Sequence, residues 1–196
     1  MNLSYNFDRK ANDSQNYYFY KEGFDVQELE KISKGVEKLP WHIASTAGGD
    51  SDSRKSNIKW IPQNDDWWWL YEKLSNYAVT ANETLWDFDL YQIPEQIQYT
   101  EYHAPAGHYD WHQDIGPDML SKRKISITVQ LSDPEEYEGG TLQMFRGGNI
   151  EGPYIEAEKN AGCVFIFPSY MMHRVTPVTK GTRKSFVLWL GGGHYR

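Results

Sequence analysis

Apolar residues recur at helical spacing between Val26 and Leu39, where Val26, Leu29, Ile32, Val36 and Leu39 fall on one face. Asp25 and Glu28 precede them with the spacing of a capping box, and Pro40 ends the pattern. This predicts an amphipathic helix. A second helix is expected after Asp65-Asp66, carrying Trp67, Leu70, Tyr71, Leu74, Tyr77, Ala78 and Ala81 on one face. The run Trp67-Trp68-Trp69 could offer a platform for a sugar or base, but packing of the helix on a sheet explains it more simply. Between the helices, Ser45 to Asn57 is rich in Ser, Gly and Asp and reads as a loop, either a lid or an ordinary connection.

From about Gln96 the period changes. Short alternating or apolar runs, Ile97 to Tyr102, Ile125 to Leu131, Thr141 to Phe145, Cys163 to Phe167 and Ser185 to Leu190, are separated by turn signals. Those signals include Asp133-Pro134, Gly139-Gly140 and Gly147-Gly148. Helices followed by strands, without βαβ alternation, predict an α+β chain whose second half is an antiparallel sandwich or barrel. With no internal repeat or low-complexity linker, residues 1–196 are expected to form a single domain. Residues 1–95 would supply mainly helical support and the loop, and residues 96–196 the sheet core.

Composition sharpens this picture. Of 196 residues, 39% are hydrophobic and 15% aromatic, with 8 Trp and 14 Tyr, enough to fill a core. The net charge of −7 argues against nucleic acid and anionic membrane surfaces as partners. The basic run Lys122-Arg123-Lys124 is expected to be a solvated loop without function. Cys163 is the single cysteine, so an intramolecular disulfide is impossible, and a metal site must use His and carboxylate. Met1 to Lys10 has no apolar h-region, and no run approaches the roughly 18 apolar residues of a membrane span. A cytoplasmic protein is expected.

Residues two apart on a strand share a face, so His112 and Asp114 could hold one ion together; His108 and Asp110 form a rival pair in the same phase. His173, just beyond the apolar strand ending at Pro168, could supply a third ligand. Two imidazoles and one carboxylate leave three octahedral positions open, as in non-heme iron(II) oxygenases.

The segment from Tyr102 to Asp114 resembles the prolyl 4-hydroxylase-like branch of the iron(II)/2-oxoglutarate dioxygenases, whose pattern runs Tyr, a Gly turn, then Tyr-x-x-His-x-Asp. Tyr109 to Asp114 matches that ending and selects His112 and Asp114. The resemblance continues through Lys124 to Leu131, Glu138-Gly139-Gly140-Thr141-Leu142 and Ala161 to Trp189, about the last hundred residues. It implies a double-stranded β-helix (jelly roll) and iron(II) held by His112, Asp114 and His173. It also implies 2-oxoglutarate and O2 as co-substrates, with ascorbate as an accessory reductant. Succinate and CO2 would be released as a substrate is hydroxylated. Halogenases of the superfamily lack the ligand carboxylate, so Asp114 favours hydroxylation.

By the same resemblance Arg183, ten residues after His173, would bind the far carboxylate of 2-oxoglutarate, a task suited to guanidinium. Ser185 shares its face and could assist, while Lys184 should point outward. Tyr102 matches a tyrosine that hydrogen-bonds the co-substrate in the family, or is a packed strand residue. One face of the strand Ile125 to Leu131 is apolar; Ser126, Thr128 and Gln130 form the other, and similarity turns Thr128 and Gln130 towards the cofactor. Some relatives have Tyr where Gln130 aligns. Tyr109 and Trp189 are substrate-side candidates, Trp189 resembling an aromatic wall of the family's site.

Two other readings stand beside the hydroxylase. One is a non-catalytic jelly roll holding a structural metal or a saccharide, which a fourth protein ligand such as His108 would support. The other is a cupin-like isomerase or hydrolase, which would have no need of Arg183. Resemblance to prolyl hydroxylases suggests a peptidyl proline, in a peptide or protein rather than a small molecule. Ser45 to Asn57 and Ile115 to Lys124 are the expected specificity segments.

Overall fold

Asp25 caps the first helix: its side chain accepts from the Glu28 backbone N–H, and the Glu28 side chain accepts from that of Asp25. In this computed structural model, which describes residues 16–44, 52–148 and 151–193, helix α1 spans Val26–Glu37 and α2 Trp68–Leu85. Trp67 stands at the start of α2 without a side-chain cap, so Asp65 and Asp66 do not cap it. Trp67 is buried against Gly35 of α1, Trp69 lies half-buried under Lys31, and Trp68 faces outward. The tryptophan run is therefore mainly helix packing.

The strands among the described residues are β1 (Tyr18–Tyr20), β2 (His42–Ile43), β3 (Arg54–Lys55), β4 (Asn57–Ile61), β5 (Leu90–Gln92), β6 (Ile97–His103), β7 (Gly107–His112), β8 (Arg123–Gln130), β9 (Tyr137–Gly139), β10 (Leu142–Met144), β11 (Ile155–Glu156), β12 (Val164–Pro168) and β13 (His173–Gly192). All their pairings are antiparallel. A major layer runs β1-β12-β8-β13-β6-β4-β2. A minor layer sets β10 and β7 on either side of the first half of β13, with β11, β3 and β9 completing it. Strand β13 belongs to both layers, and this tie closes the two into the expected α+β jelly roll.

Alternation along the strands divides the interior in two. Ile125, Ile127 and Val129 of β8, Val164 and Ile166 of β12, and Phe186, Leu188 and Leu190 of β13 pack with Ile32, Leu70, Leu74 and Ala78 of the helices. Each of these side chains other than Ala78 contributes about 1.5–3 kcal/mol by leaving water. The opposite faces of the same strands turn to the space between the layers. There Tyr102, Leu142, Met144, Phe165, Phe167, Met171, Val175 and Val178 form a second cluster.

Two expectations need correction. The stretch up to Asn57 is not wholly irregular: Arg54–Lys55 pairs with β7 and Asn57 begins β4, which pairs with β6. Residues 45–51 of that predicted loop lie outside the described residues. The first half of the chain thus adds strands to both layers as well as helices. Secondly, Arg123 and Lys124 are buried on β8 rather than solvated. Their burial is tolerable for Arg123 because Glu95 and the Asp114 carbonyl accept from its guanidinium.

Candidate active site

Antiparallel pairing of β7 with β13 sets His112 opposite His173. Asp114 follows β7 and is fixed by its backbone N–H, which donates to the Ser169 carbonyl at 2.9 Å. Asp114 Oδ1 lies 3.7 Å from His112 Nε2, and Oδ2 lies 3.6 Å from His173 Nε2. Ligand atoms of the three residues all fall within 4.8 Å of one another. The rival pair is not gathered in: Asp110 is exposed, and both nitrogens of His108 lie near backbone carbonyls, of Ala106 and Asp52.

Backbone carbonyls set both tautomers. His112 Nδ1 is 2.7 Å from the Asp110 carbonyl and His173 Nδ1 is 2.8 Å from that of Met171. A carbonyl only accepts, so each Nδ1 carries a proton, and in the neutral ring it is Nε2 that presents the lone pair. Burial, with the His173 ring beside it, pushes His112 down to about 3, favouring the neutral ligand form. Burial alone would raise the Asp114 carboxyl, but the imidazoles, a 2.6 Å hydrogen bond from Ser126 Oγ and Arg123 outweigh it and hold it below the usual range. Two imidazole Nε2 atoms and an ionised carboxylate converging on one point fit a divalent metal with open positions, and iron(II) suits this donor set.

These groups open on a cavity of about 370 Å³. Tyr102, Tyr109, Thr128, Arg183, Ser185 and Trp189 line it with the three candidate ligands, and Lys184 lies half-exposed on the other face of β13. Gln130 lies farther along β8 on the face of Thr128, where its Nε2 donates to the Tyr137 hydroxyl at 3.1 Å, and it lines with Thr128 and Arg183 a small pocket adjoining the cavity. Tyr109 stacks on the His112 ring with centroids 3.5 Å apart.

Arg183 is buried, its Nη1 donating to Ser185 Oγ at 3.1 Å, and no carboxylate among the described residues pairs with it. Burial lowers its pKa, partly offset by Tyr102 and Tyr137. An enclosed guanidinium held only by neutral oxygens is costly until an anion meets it.

The family model described as "2OG-Fe(II) oxygenase superfamily" matches residues 97–191. A PKHD-type hydroxylase of Acidovorax ebreus is 31% identical over 174 residues, covering 83% of this chain and 72% of that protein. This chain belongs to the 2OG-Fe(II) oxygenase superfamily. It is an enzyme of the 2-oxoglutarate-dependent hydroxylase kind, and the non-catalytic alternative is not favoured. The fold of this oxygenase is that of a Pseudomonas putida prolyl-4-hydroxylase: TM-score 0.69, 19% identity, 91% of this chain and 93% of that one covered. It is also that of a Trichoplax adhaerens prolyl hydroxylase solved with a hypoxia inducible factor peptide fragment: TM-score 0.73, 15% identity, 90% and 84% covered.

Several residues of the oxygenase's site carried no usable sequence signal. Arg54 reaches the cavity from the two-residue strand β3, inside a stretch whose composition reads as loop. Glu95 and Arg123 form a bidentate pair on the cavity wall, and the Arg123 guanidinium lies 3.6 Å from the Trp189 ring centroid. Ser126 was visible as part of the polar face of β8, which was the signal that could have found it. Tyr137, beside Arg183, precedes the Gly139-Gly140 turn, which marked only a turn. Ile115, Gly116, Pro117 and Leu120 do wall the cavity, in one of the two segments expected to govern specificity.

Proposed function

We propose that His112, Asp114 and His173 hold iron(II), that Arg183 with Ser185 binds the distal carboxylate of 2-oxoglutarate, and that the enzyme hydroxylates a peptidyl proline. The observation that carries this reading is Arg183, a buried cation without an anionic partner among the described residues, sharing one cavity with the three converging ligand atoms. Neither a structural metal site nor a cupin-like isomerase would require it. A structural zinc would also want a fourth protein ligand, and among the described residues the metal-ligating group has three members.

When bound, iron(II) and 2-oxoglutarate supply the oxidising chemistry: O2 is consumed, 2-oxoglutarate becomes succinate and CO2, and a substrate C–H becomes C–OH. The protein's task is orientation and exclusion. The carbonyls of Asp110 and Met171 hold the Nδ1 protons, which turns both Nε2 atoms towards the metal position, and Ser126 fixes the carboxylate. Thr128 and Tyr102 line the cavity with Arg183 as further donors to the co-substrate, while Phe167, Leu142 and Val187 add apolar wall. Tyr109 and Trp189 face the remaining space, where substrate would bind.

A proline-containing peptide or protein as substrate is supported by the Pseudomonas and Trichoplax neighbours, both prolyl hydroxylases, the second solved with a peptide. A single domain over residues 1–196, a cytoplasmic location and ascorbate as accessory reductant complete the proposal. No helix among the described residues is long and apolar enough to cross a membrane. Calorimetric titration of 2-oxoglutarate into the manganese(II)-loaded protein tests the assignment. Binding is expected to be lost in Arg183→Ala, and metal uptake in Asp114→Ala and His173→Ala. Undiminished binding in these variants overturns it. Proline peptides are then screened for the mass gain of one oxygen atom that depends on 2-oxoglutarate.

A further inference from the structure

Arg54 is a second guanidinium in the cavity that lacks a carboxylate partner among the described residues. It lies over Tyr109, 4.7 Å from the ring centroid, and Tyr109 in turn stacks on His112. Its Nε donates to Ser56 Oγ at 2.9 Å and its Nη2 to Gln98 Oε1 at 2.7 Å. Both acceptors are neutral. Nη1 makes no hydrogen bond to any described residue.

Charge counting decides what this arginine is for. Three guanidinium groups line the cavity, those of Arg54, Arg123 and Arg183, against two carboxylates, Glu95 and Asp114. Glu95 neutralises Arg123 directly. Under the proposed function, iron(II) and the 2-oxoglutarate dianion cancel each other, Asp114 and Arg183 being the groups that hold them. One positive charge is left, at Arg54, on the side of the cavity bounded by Tyr109. A purely structural strut would gain its cation–π contact and its tie to Gln98 without presenting spare N–H donors in a half-closed cavity.

We propose that Arg54 binds a carboxylate of the substrate, so that the enzyme selects substrates that carry one at that position. This rests on the iron and 2-oxoglutarate reading above. The carboxylate could belong to an Asp or Glu side chain or the C-terminus of a proline-containing peptide, or to a free amino or imino acid; all offer the planar acceptor that a guanidinium fork meets best.

The test uses protein loaded with manganese(II) and saturated with 2-oxoglutarate, exposed to a pooled set of ligands, with those retained identified by mass spectrometry. The pool holds capped proline peptides containing Asp or Glu, their Asn or Gln twins, Lys or Arg versions, peptides with a free C-terminus, and free amino and imino acids. Wild-type protein is expected to retain carboxylate-bearing members at least about tenfold over their amide twins, the effect of a charge-assisted hydrogen bond. The arm retained identifies the source of the carboxylate. Arg54→Gln should abolish the preference and Arg54→Glu should turn it towards Lys and Arg peptides. Equal retention of acids and amides, no retained carboxylate, or an unchanged preference in Arg54→Gln overturns the proposal. Unaltered 2-oxoglutarate affinity in Arg54→Gln certifies folding. Should that variant fail to fold, Arg54→Lys must keep an acidic preference and Arg54→Glu must lose it. Failure of the underlying reading looks different: 2-oxoglutarate would then bind Arg183→Ala as well as wild type.

Discussion

Ser126 on β8 donates a 2.6 Å hydrogen bond to Oδ2 of Asp114, the same oxygen that lies 3.6 Å from His173 Nε2. Ser126 Oγ is in turn 2.9 Å from Ser169 Oγ, and the Ser169 carbonyl accepts from the Asp114 backbone N–H. The carboxylate is therefore locked in one orientation from two sides. Ser126→Ala should weaken metal binding about 10–100-fold, the usual cost of removing an outer hydrogen bond from a ligand, while the thermal midpoint of the metal-free protein moves little. Calorimetric titration with manganese(II) measures it; affinity equal to wild type would mean that backbone placement alone orients Asp114.

Helix α1 meets α2 through Gly35, where a Cβ would stand 2.6 Å from the Trp67 ring. Helix propensity favours Gly35→Ala by about 1 kcal/mol, but the buried ring cannot retreat freely and overpacking costs about 1–3 kcal/mol. Net destabilisation is expected in urea melts. The same change in a Trp67→Phe background, with a smaller ring at the contact, should be neutral or stabilising. An additive pair of effects would remove the steric explanation.

What the sequence made legible follows from periodicity. The period of two on β8 assigned Ile125, Ile127 and Val129 to one face and Ser126, Thr128 and Gln130 to the other, and the helices do cover the first. The Asp25–Glu28 cap was readable because it is local. Parity, however, gives a face and not a position along it: Gln130 shares the face of Thr128, but its hydrogen bond to Tyr137 follows from no pattern in the sequence. Arg123 was read as solvated because its partner Glu95 lies far enough away in sequence that no local pattern joins them. Arg54 belongs to a strand of two residues, too short to display any period.

Cys163 is buried on the small pocket that Gln130 and Arg183 line, and burial, reinforced by Glu158, pushes its thiol up to about 11 from an ordinary 9.0. A raised thiol pKa means less thiolate at any given lower pH, so at pH 8 reactivity should fall about a hundredfold from this cause alone. Labelling by a thiol reagent at pH 8 should be slow in the native protein and fast in denaturant. Equal rates would indicate that this pocket opens readily.

Tyr71 of α2 closes the end of the β4–β6 ladder, donating to the Ile61 carbonyl at 2.6 Å and accepting from the Ile97 N–H at 2.9 Å. Ile61 and Ile97 are themselves a register pair, so one phenol satisfies both backbone groups at the point where helix and sheet meet. Tyr71→Phe leaves these groups buried and unpaired, at about 1–3 kcal/mol. Burial also pushes the phenol up to about 12, although the Ile97 hydrogen bond works the other way. The unfolded chain ionises this group near pH 10 and the folded one near 12. Its contribution is therefore complete below about pH 10 and lost as the pH rises towards 12. Urea midpoints of wild type and Tyr71→Phe should differ by a constant amount up to about pH 10 and then converge. The remaining tyrosines titrate in both proteins and cancel from the comparison. Curves that stay parallel to pH 12 would show that Tyr71 keeps its proton equally well in the unfolded chain.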